Sequence, residues 1–371
     1  MVDLKGQYQR IKDLVGKEFD EVLETAYYIG GPKVNQFKEN LEEYLNAEFV
    51  VPCANGTDAL QIALMALDLQ PGDEVIVPSF TYVATAEVIG LLQLKPIMVD
   101  VDPDTFNVTA ELIEPYIGPR TKAIVPVHLF GQSADMEPIL QLAREHRLSV
   151  VEDNAQAIGS VYTFSDQRVQ KTGTMGDIGC TSFYPSKNLG CYGDGGAMCT
   201  NDTILGEQLK MIANHGQQRR YYHDIIGVNS RLDALQAAVL DIKLRYLDDF
   251  NSARRKAADH YDAVFSDIPA LQIPVRATNS THVFHQYTLK VLDGSREQLS
   301  AYLNENQIAN YVYYPVPLHR QKAYAAFYEG QQLPTSEQLC TQVISLPMHS
   351  ELNLETLNYI CDHVRQFYYK R

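Results

Sequence analysis

Lys187 stands in the segment TSFYPSKNLGCYGDGG, among Pro, Ser, Leu, Tyr and Gly rather than other charges, with glycines at 190, 193, 195 and 196. A lysine in such surroundings can be desolvated, which lowers its pKa and frees the amine to attack a carbonyl. The glycines permit a tight, irregular backbone around a ligand. They do not form G-x-G-x-x-G between a strand and a helix, so a dinucleotide site is not supported. An exposed lysine in a loop would be an ordinary solvated cation.

Two other segments hold polar groups of equal interest. In LSVVEDNAQAIGS, Asp153 directly follows an apolar run. A carboxylate placed there needs a cation or hydrogen-bond donors, because burying it bare is costly. Capping of the next turn is the structural alternative. In AEFVVPCANGTDAL, Gly56 lets the backbone approach a ligand and Thr57 adds a hydroxyl beside the free N–H groups of a following helix. That combination suits a monophosphate, and Asn-Gly-Thr is equally an ordinary turn with an N-cap. Phosphate cup, acidic anchor and carbonyl-reactive lysine, in that order along the chain, fit one cofactor. Pyridoxal phosphate has a phosphate, a ring nitrogen that a carboxylate keeps protonated, and a carbonyl.

The elements that would position these groups are legible as alternating patterns. The runs AEFVVPCA, DEVIVPSF, KPIMVDVD, TKAIVPVHLF and LSVVEDNA are short, apolar and β-rich. Between them lie amphipathic stretches such as DALQIALMALDL, and MEPILQLAREH with Asp135 as its N-cap. Near-continuous apolar strands separated by helices imply an α/β sheet covered on both faces. DIGCTSFYP and GGAMCTND add two strands joined by turns. Functional groups in such sheets gather at the carboxyl ends of strands, where all three segments fall. After a helix apolar at Leu232, Leu235, Val239, Ile242 and Tyr246 the pattern changes. A charged helix near 251–265, strands near THVFHQYTLKV and IANYVYY, and a C-terminal helix predict a smaller α+β domain over 247–371, after a large domain over 1–246.

The 371 residues suffice for two lobes and a cleft. A net charge of −15 argues against nucleic acid as a partner. No apolar run approaches the ~20 residues that span a bilayer, and the N-terminus lacks a signal-peptide pattern. The six scattered cysteines, with no C-x-x-C pair, read as free thiols in a reducing cytoplasm. His282 and His285 lie close together but lack companion ligands, so no metal is expected.

Taken together, VDLKGQY, YIGGPKVNQFKENL, CANGTDAL, PSFTYVATAEV, VHLFGQSADM, VEDNAQAIGS, TSFYPSKNLGCYGDGG, NHGQQRRYYHDIIGVNSRLDALQAA, YYPVPLH and SLPMH resemble the DegT-type sugar aminotransferases, pyridoxal-phosphate enzymes of fold type I. The resemblance implies an aspartate-aminotransferase-like large domain with a mostly parallel, seven-stranded mixed sheet. It implies that Lys187 carries the cofactor and shuttles the proton, and that Asp153 binds the ring nitrogen. Gln156 would contact the ring oxygen, Gly56, Thr57 and Ser182 the phosphate, and Tyr82 the ring face. Asn229 would reach the partner's cofactor phosphate across a homodimer, with Arg231 nearby. Arg231, Tyr313 and Tyr314 would then meet the substrate. The details are most similar to enzymes that aminate C3 of a nucleotide sugar, with an amino acid, expected to be L-glutamate, as donor. Many relatives have His-Tyr-Pro where this chain has Tyr313-Tyr314-Pro315, which leaves open whether the sugar carries a carboxylate. Relatives that dehydrate have histidine in place of the lysine, so Lys187 favours transamination. A 4-keto-sugar or cyclitol aminotransferase, and a non-catalytic regulatory protein of this fold, are the alternatives.

Overall fold

The computed structural model describes residues 1–328 and 330–369. Two N-terminal helices, α1 (Leu4–Thr25) and α2 (Pro32–Leu45), precede the sheet. The Asp3 carboxylate accepts from Gly6 N–H at 2.7 Å and starts α1, whereas Pro32 sits in the first turn of α2, where its missing N–H costs nothing. The chain then lays down β1 (Phe49–Cys53), α3 (Gly56–Ala66), β2 (Glu74–Pro78), α4 (Ala84–Leu91), β3 (Lys95–Val99), the short α5 (Ala110–Ile113), β4 (Thr121–Ile124), α6 (Met136–His146) and β5 (Ser149–Asp153). A hairpin, β6 (Val161–Thr163) with β7 (Val169–Lys171), leads to β8 (Ile178–Ser182) and β9 (Gly196–Thr200).

Seven of these strands form one sheet in the order β1-β9-β8-β5-β4-β2-β3. Only β9 runs against the others, so the expected mostly parallel, seven-stranded mixed sheet is present. Its two faces are sorted by the pleat. Val75 and Val77 enter one core with Leu60, Leu64 and Val88, while Ile76 between them enters the other with Ile124, Ile139 and Val150. Each such buried residue stabilises the sheet by about 1.5–3 kcal/mol relative to exposure. The carboxyl ends of β1, β2, β4, β5 and β8 share one edge, which is where the polar segments emerge.

After α7 (Thr203–Ala213) a small hairpin, β10 (Gln217–Arg219) with β11 (Tyr222–His223), precedes α8 (Ala234–Leu244). Helix α8 packs under α1 and α2 through Ile11, Val15, Val239 and Ile242, and through Phe37, Leu41 and Leu240. Phe183, four residues before Lys187, lies in that same contact. Helix α9 (Leu247–Phe265), β12 (Leu271–Gln272), β13 (Tyr287–Val291), α10 (Arg296–Glu305), α11 (Pro334–Gln342), β14 (Val343–Leu346) and α12 (Leu354–Tyr369) follow. The last three strands make an antiparallel sheet in the order β12-β13-β14. Ala258, Tyr261, Leu289, Leu303, Ile344 and Val364 fill its own core. Leu318, Tyr324, Tyr328 and Leu333 cross back into the core of the large sheet.

Two local expectations fail. IANYVYY is not a strand: Tyr311 makes one bridge to Ser345, and the chain then leaves the sheet toward Pro315 and Pro317. That departure frees Tyr314 to meet the large domain. Asp135 does stand at the N-cap of α6 but caps nothing, because its carboxylate accepts from Tyr162 O–H and Asn279 Nδ2 instead.

Candidate active site

Asp153 ends β5 and is 5% exposed. Its Oδ2 accepts from Thr85 Oγ1 at 2.8 Å and its Oδ1 from Ala155 N–H at 3.1 Å. Both donors are neutral, so the carboxylate is oriented but keeps its charge for another group. Behind it, Glu152 is fully buried and accepts from Gly173, Met175 and Gly176 N–H and from His128 Nε2 at 2.7 Å. Since a carboxylate only accepts, His128 carries its proton on Nε2, and its Nδ1 accepts from Ala134 N–H. This satisfied network anchors the strand end from the opposite face.

Lys187 lies in the turn between β8 and β9, held by its own N–H on Tyr184 O at 2.8 Å. The next residue, Asn188, is buried and donates to Asn251 Oδ1 and Val283 O, which ties the turn to α9 and to the segment before β13. Burial pushes the Lys187 amine down from 10.5 to about 8, against the opposing pull of Asp153. A change of that size raises the neutral fraction at pH 7 roughly 300-fold. Protonated amine does not react, so acylation of Lys187 should rise with pH and level off above about 8, where an ordinary lysine would still be climbing. Competitive labelling of the cofactor-free protein, read by mass spectrometry, checks this. An inflection near 10.5 would contradict it.

The candidate phosphate cup is the start of α3. Asn55 caps the helix by accepting from Asp58 N–H at 2.8 Å, and Ala59 N–H bonds Asn55 O. Gly56 and Thr57 N–H have no partner among the described residues, at the positive end of an eleven-residue helix. Ser182, at the end of β8, packs on Gly56 so closely that a Cβ on Gly56 would lie 2.6 Å from Ser182 Cβ. Gly56→Ala must therefore push the serine away. Overpacking of this kind costs about 1–3 kcal/mol, and pyridoxal phosphate affinity should fall by roughly tenfold or more. Equilibrium dialysis of the cofactor measures it, and unchanged affinity would remove Gly56 from the site.

Gln156 and two tyrosines complete the near wall. Gln156 Oε1 accepts from Phe130 N–H at 2.7 Å, and its Nε2 donates to Tyr314 Oη at 3.1 Å. Tyr82 is 57% exposed, with its ring centroid 6.4 Å from that of Tyr314. Tyr313 lies beside Tyr314 and Tyr311, with ring centroids 5.9 Å away in both cases. The structure thus gathers Asp153, Lys187, Gly56, Thr57, Ser182, Gln156, Tyr82, Tyr313 and Tyr314 at one edge. Asn229 and Arg231 differ. Both are exposed, while Ser230 between them turns inward, donating to Asp58 Oδ2 at 2.6 Å and accepting from Ala54 N–H at 3.0 Å.

Three contributors escape a reading of the sequence. Thr85 orients Asp153 across 68 positions, and its only sequence signal is a hydroxyl inside the apolar helix ATAEVIGL. His285 is buried with no partner at Nδ1 among the described residues. Burial, with the nearby charges of Lys187 and Arg254, keeps its ring neutral. Lys243, 1% exposed, donates to Gly190 O at 2.7 Å and braces the lysine turn from α8.

These residues fit pyridoxal phosphate on geometry alone: unpaired helix amides with a serine for a phosphate, an oriented carboxylate, and a desolvated lysine. The comparisons agree. The family model for the DegT/DnrJ/EryC1/StrS aminotransferases matches residues 9–365. The UDP-2-acetamido-2-deoxy-3-oxo-D-glucuronate aminotransferase of Pseudomonas aeruginosa is 44% identical over 360 residues, covering 97% of this chain and 98% of its own. The pleiotropic regulatory protein of Geobacillus stearothermophilus is 42% identical, covering 99% and 98%. Among solved structures, S. venezuelae DesV in complex with a ketimine intermediate superposes with a TM-score of 0.95 at 38% identity, over 99% of this chain and 98% of that one. A Bacillus subtilis protein with bound cofactor PMP gives 0.88 at 33% identity, over 95% and 81%.

Proposed function

We infer that this chain, which belongs to the DegT/DnrJ/EryC1/StrS aminotransferase family, transfers an amino group from L-glutamate to C3 of a nucleotide-linked keto sugar. It is a pyridoxal-phosphate-dependent aminotransferase. The observation that carries the reading is the desolvated amine of Lys187 set against the oriented carboxylate of Asp153. C3 is supported by the 3-oxo sugar in the name of the Pseudomonas relative.

When bound, the cofactor supplies a carbonyl and a ring that accepts the electron pair released from a carbon beside nitrogen. The chain's residues do the rest. Gly56 and Thr57 N–H with Ser182 hold the phosphate. Asp153, steadied by Thr85 and Ala155, presents its charge to the ring nitrogen. Lys187 would be the attachment point, and its free amine would take a proton from the substrate carbon and return it elsewhere, as base and then acid. Its pKa near 8 suits both roles at neutral pH. Gln156 and Tyr82 flank the ring, and Tyr313 and Tyr314 offer hydroxyl and aromatic surface to a sugar.

In this reading residues 1–246 hold the cofactor and 247–371 form the smaller domain. The functional unit is a cytoplasmic homodimer in which the exposed Asn229 and Arg231 serve the partner's site. Exposed Tyr221 and Tyr222 on the neighbouring hairpin, with Ile226 just after it, give that interface apolar surface. An active monomer in light scattering would contradict it. No helix among the described residues is long and apolar enough to cross a membrane. The name of the Geobacillus relative favours a second reading, a regulatory protein; retention of a desolvated lysine speaks against a purely non-catalytic role.

The test is a panel of 3-keto and 4-keto nucleotide sugars, with and without a uronic carboxylate, analysed by mass spectrometry and NMR of the product. Higher kcat/KM for 4-keto sugars, with 3-keto sugars inert, would overturn the C3 assignment.

A further inference from the structure

Ser79, His319 and Glu337 form a linear contact that the roles above do not use. His319 Nδ1 lies 2.7 Å from Ser79 Oγ, and Nε2 lies 3.0 Å from Glu337 Oε1. A carboxylate only accepts, so Nε2 bears the proton and Nδ1 accepts from the Ser79 hydroxyl. His319 N–H also points to Ser79 Oγ at 3.5 Å, and Leu318 N–H bonds Ser79 O at 2.9 Å. Arg320 adds two bonds to the same glutamate oxygen. The residue types match a hydrolytic triad, but Ser79 is 0% exposed and His319 2%, so no substrate reaches the hydroxyl.

What the contact joins is informative. Ser79 follows β2 at the carboxyl edge and leads directly into Phe80, Thr81 and Tyr82, then into α4 with Thr85. His319 closes the segment that begins with Tyr313 and Tyr314. One end therefore carries the exposed Tyr82 ring and the donor to Asp153. The other carries the tyrosine that holds Gln156. The Phe80 ring packs against Tyr314 with centroids 6.0 Å apart, beside the same junction.

We propose that His319 is a positioning residue: by locking Ser79 to the Tyr313–His319 segment, it sets the separation of Tyr82 and Tyr314, the two rings assigned to the cofactor and the acceptor sugar. The lock acts on acceptor binding more than on the proton transfers at Lys187. It rests on the aminotransferase reading only for the identity of the acceptor.

Three variants divide the lock. Ser79→Ala removes the hydroxyl. His319→Gln places its amide near the Nε2 position and keeps Glu337 but not Ser79. His319→Asn places an acceptor near Nδ1 and keeps Ser79 but not Glu337. Ser79→Ala and His319→Gln should each raise the acceptor KM about tenfold, the effect of one lost buried hydrogen bond. Both should alter the visible circular dichroism of bound pyridoxal phosphate, with the glutamate half-reaction within about twofold of wild type in stopped flow. His319→Asn should restore most of both signals. A lowered Tm with acceptor KM and dichroism unchanged would reduce the contact to a structural one and overturn the proposal, as would His319→Asn behaving like His319→Gln. The dichroism needs no sugar, so it decides the lock even if every keto sugar offered to the wild type is inert, which would refute the substrate reading alone.

Discussion

Lys187→Ala should abolish transamination, lowering kcat/KM by roughly 10⁴-fold or more, while leaving the fold intact. General acid–base catalysis by one positioned group accounts for about 10²–10⁴, and loss of the attachment point adds to it. The stability side of the same variant has an opposite sign. Burial lowers the amine to about 8 in the folded protein from 10.5 when unfolded, so below pH 8 the native state carries a disfavoured charge. Removing it should hold or raise Tm at pH 7. As pH climbs from about 8 to 10.5 the wild type sheds that penalty and closes the gap. A residue whose loss stabilises the protein and stops its chemistry is retained for the chemistry. Thermal melts of the cofactor-free proteins at pH 7 and pH 10, beside steady-state rates of the cofactor-loaded ones, check both halves. Turnover within tenfold of wild type would remove Lys187 from the mechanism.

Asp153→Asn is the second large effect. The amide has the same shape, its oxygen can accept from Ala155 N–H while its NH2 donates to the Thr85 hydroxyl, and it fits a site that is 5% exposed, so folding should survive. What disappears is a full negative charge in a poorly hydrated place, where a preorganised charge contributes most. Both half-reactions should slow together, by roughly 10²–10³-fold. Thr85→Ala should move in the same direction by less, since it frees the carboxylate to rotate without removing its charge. Stopped-flow rates with glutamate and with the keto sugar measure the two halves separately. If the glutamate half-reaction of Asp153→Asn matched wild type, Asp153 would be a structural cap and the anchor would have to be sought elsewhere.

Lys187, Asp153 and Gly56 stand out in the sequence as candidates because each breaks a local rule in view of its neighbours. Lys187 lacks surrounding charge, Asp153 terminates an apolar strand, and Gly56 opens a helix whose first amides are free. The sheet was legible for a related reason: strands buried on both faces read as unbroken apolar runs, and β8 and β9 joined by turns explain the single reversed strand. Partners that fold together from far apart leave no such trace. Thr85 reaches Asp153 across 68 positions, and Ser79 reaches His319 across 240. His285 could be noticed only as one of two nearby histidines; its proximity to Lys187 belongs to the fold. IANYVYY misleads because tyrosine and valine favour a strand wherever they pack on a pleated surface. Here that surface is lost after Tyr311, and Tyr314 turns to Gln156 and Phe80 of the large domain instead.

Lys243 is the natural competitor for the role given to Lys187, since burial brings its amine to about 8 as well. Its geometry separates the two: Lys243 is committed to Gly190 O and lies 4.5 Å over the Tyr192 ring, with 1% of its surface exposed. Reduction of the purified holoenzyme with borohydride, followed by proteolysis and peptide mapping, reads directly which amine carries the cofactor. The pyridoxyl mass should appear on the peptide containing Lys187 and on no other. A label on Lys243 or any other lysine, or none on a protein that still transaminates, would contradict the assignment.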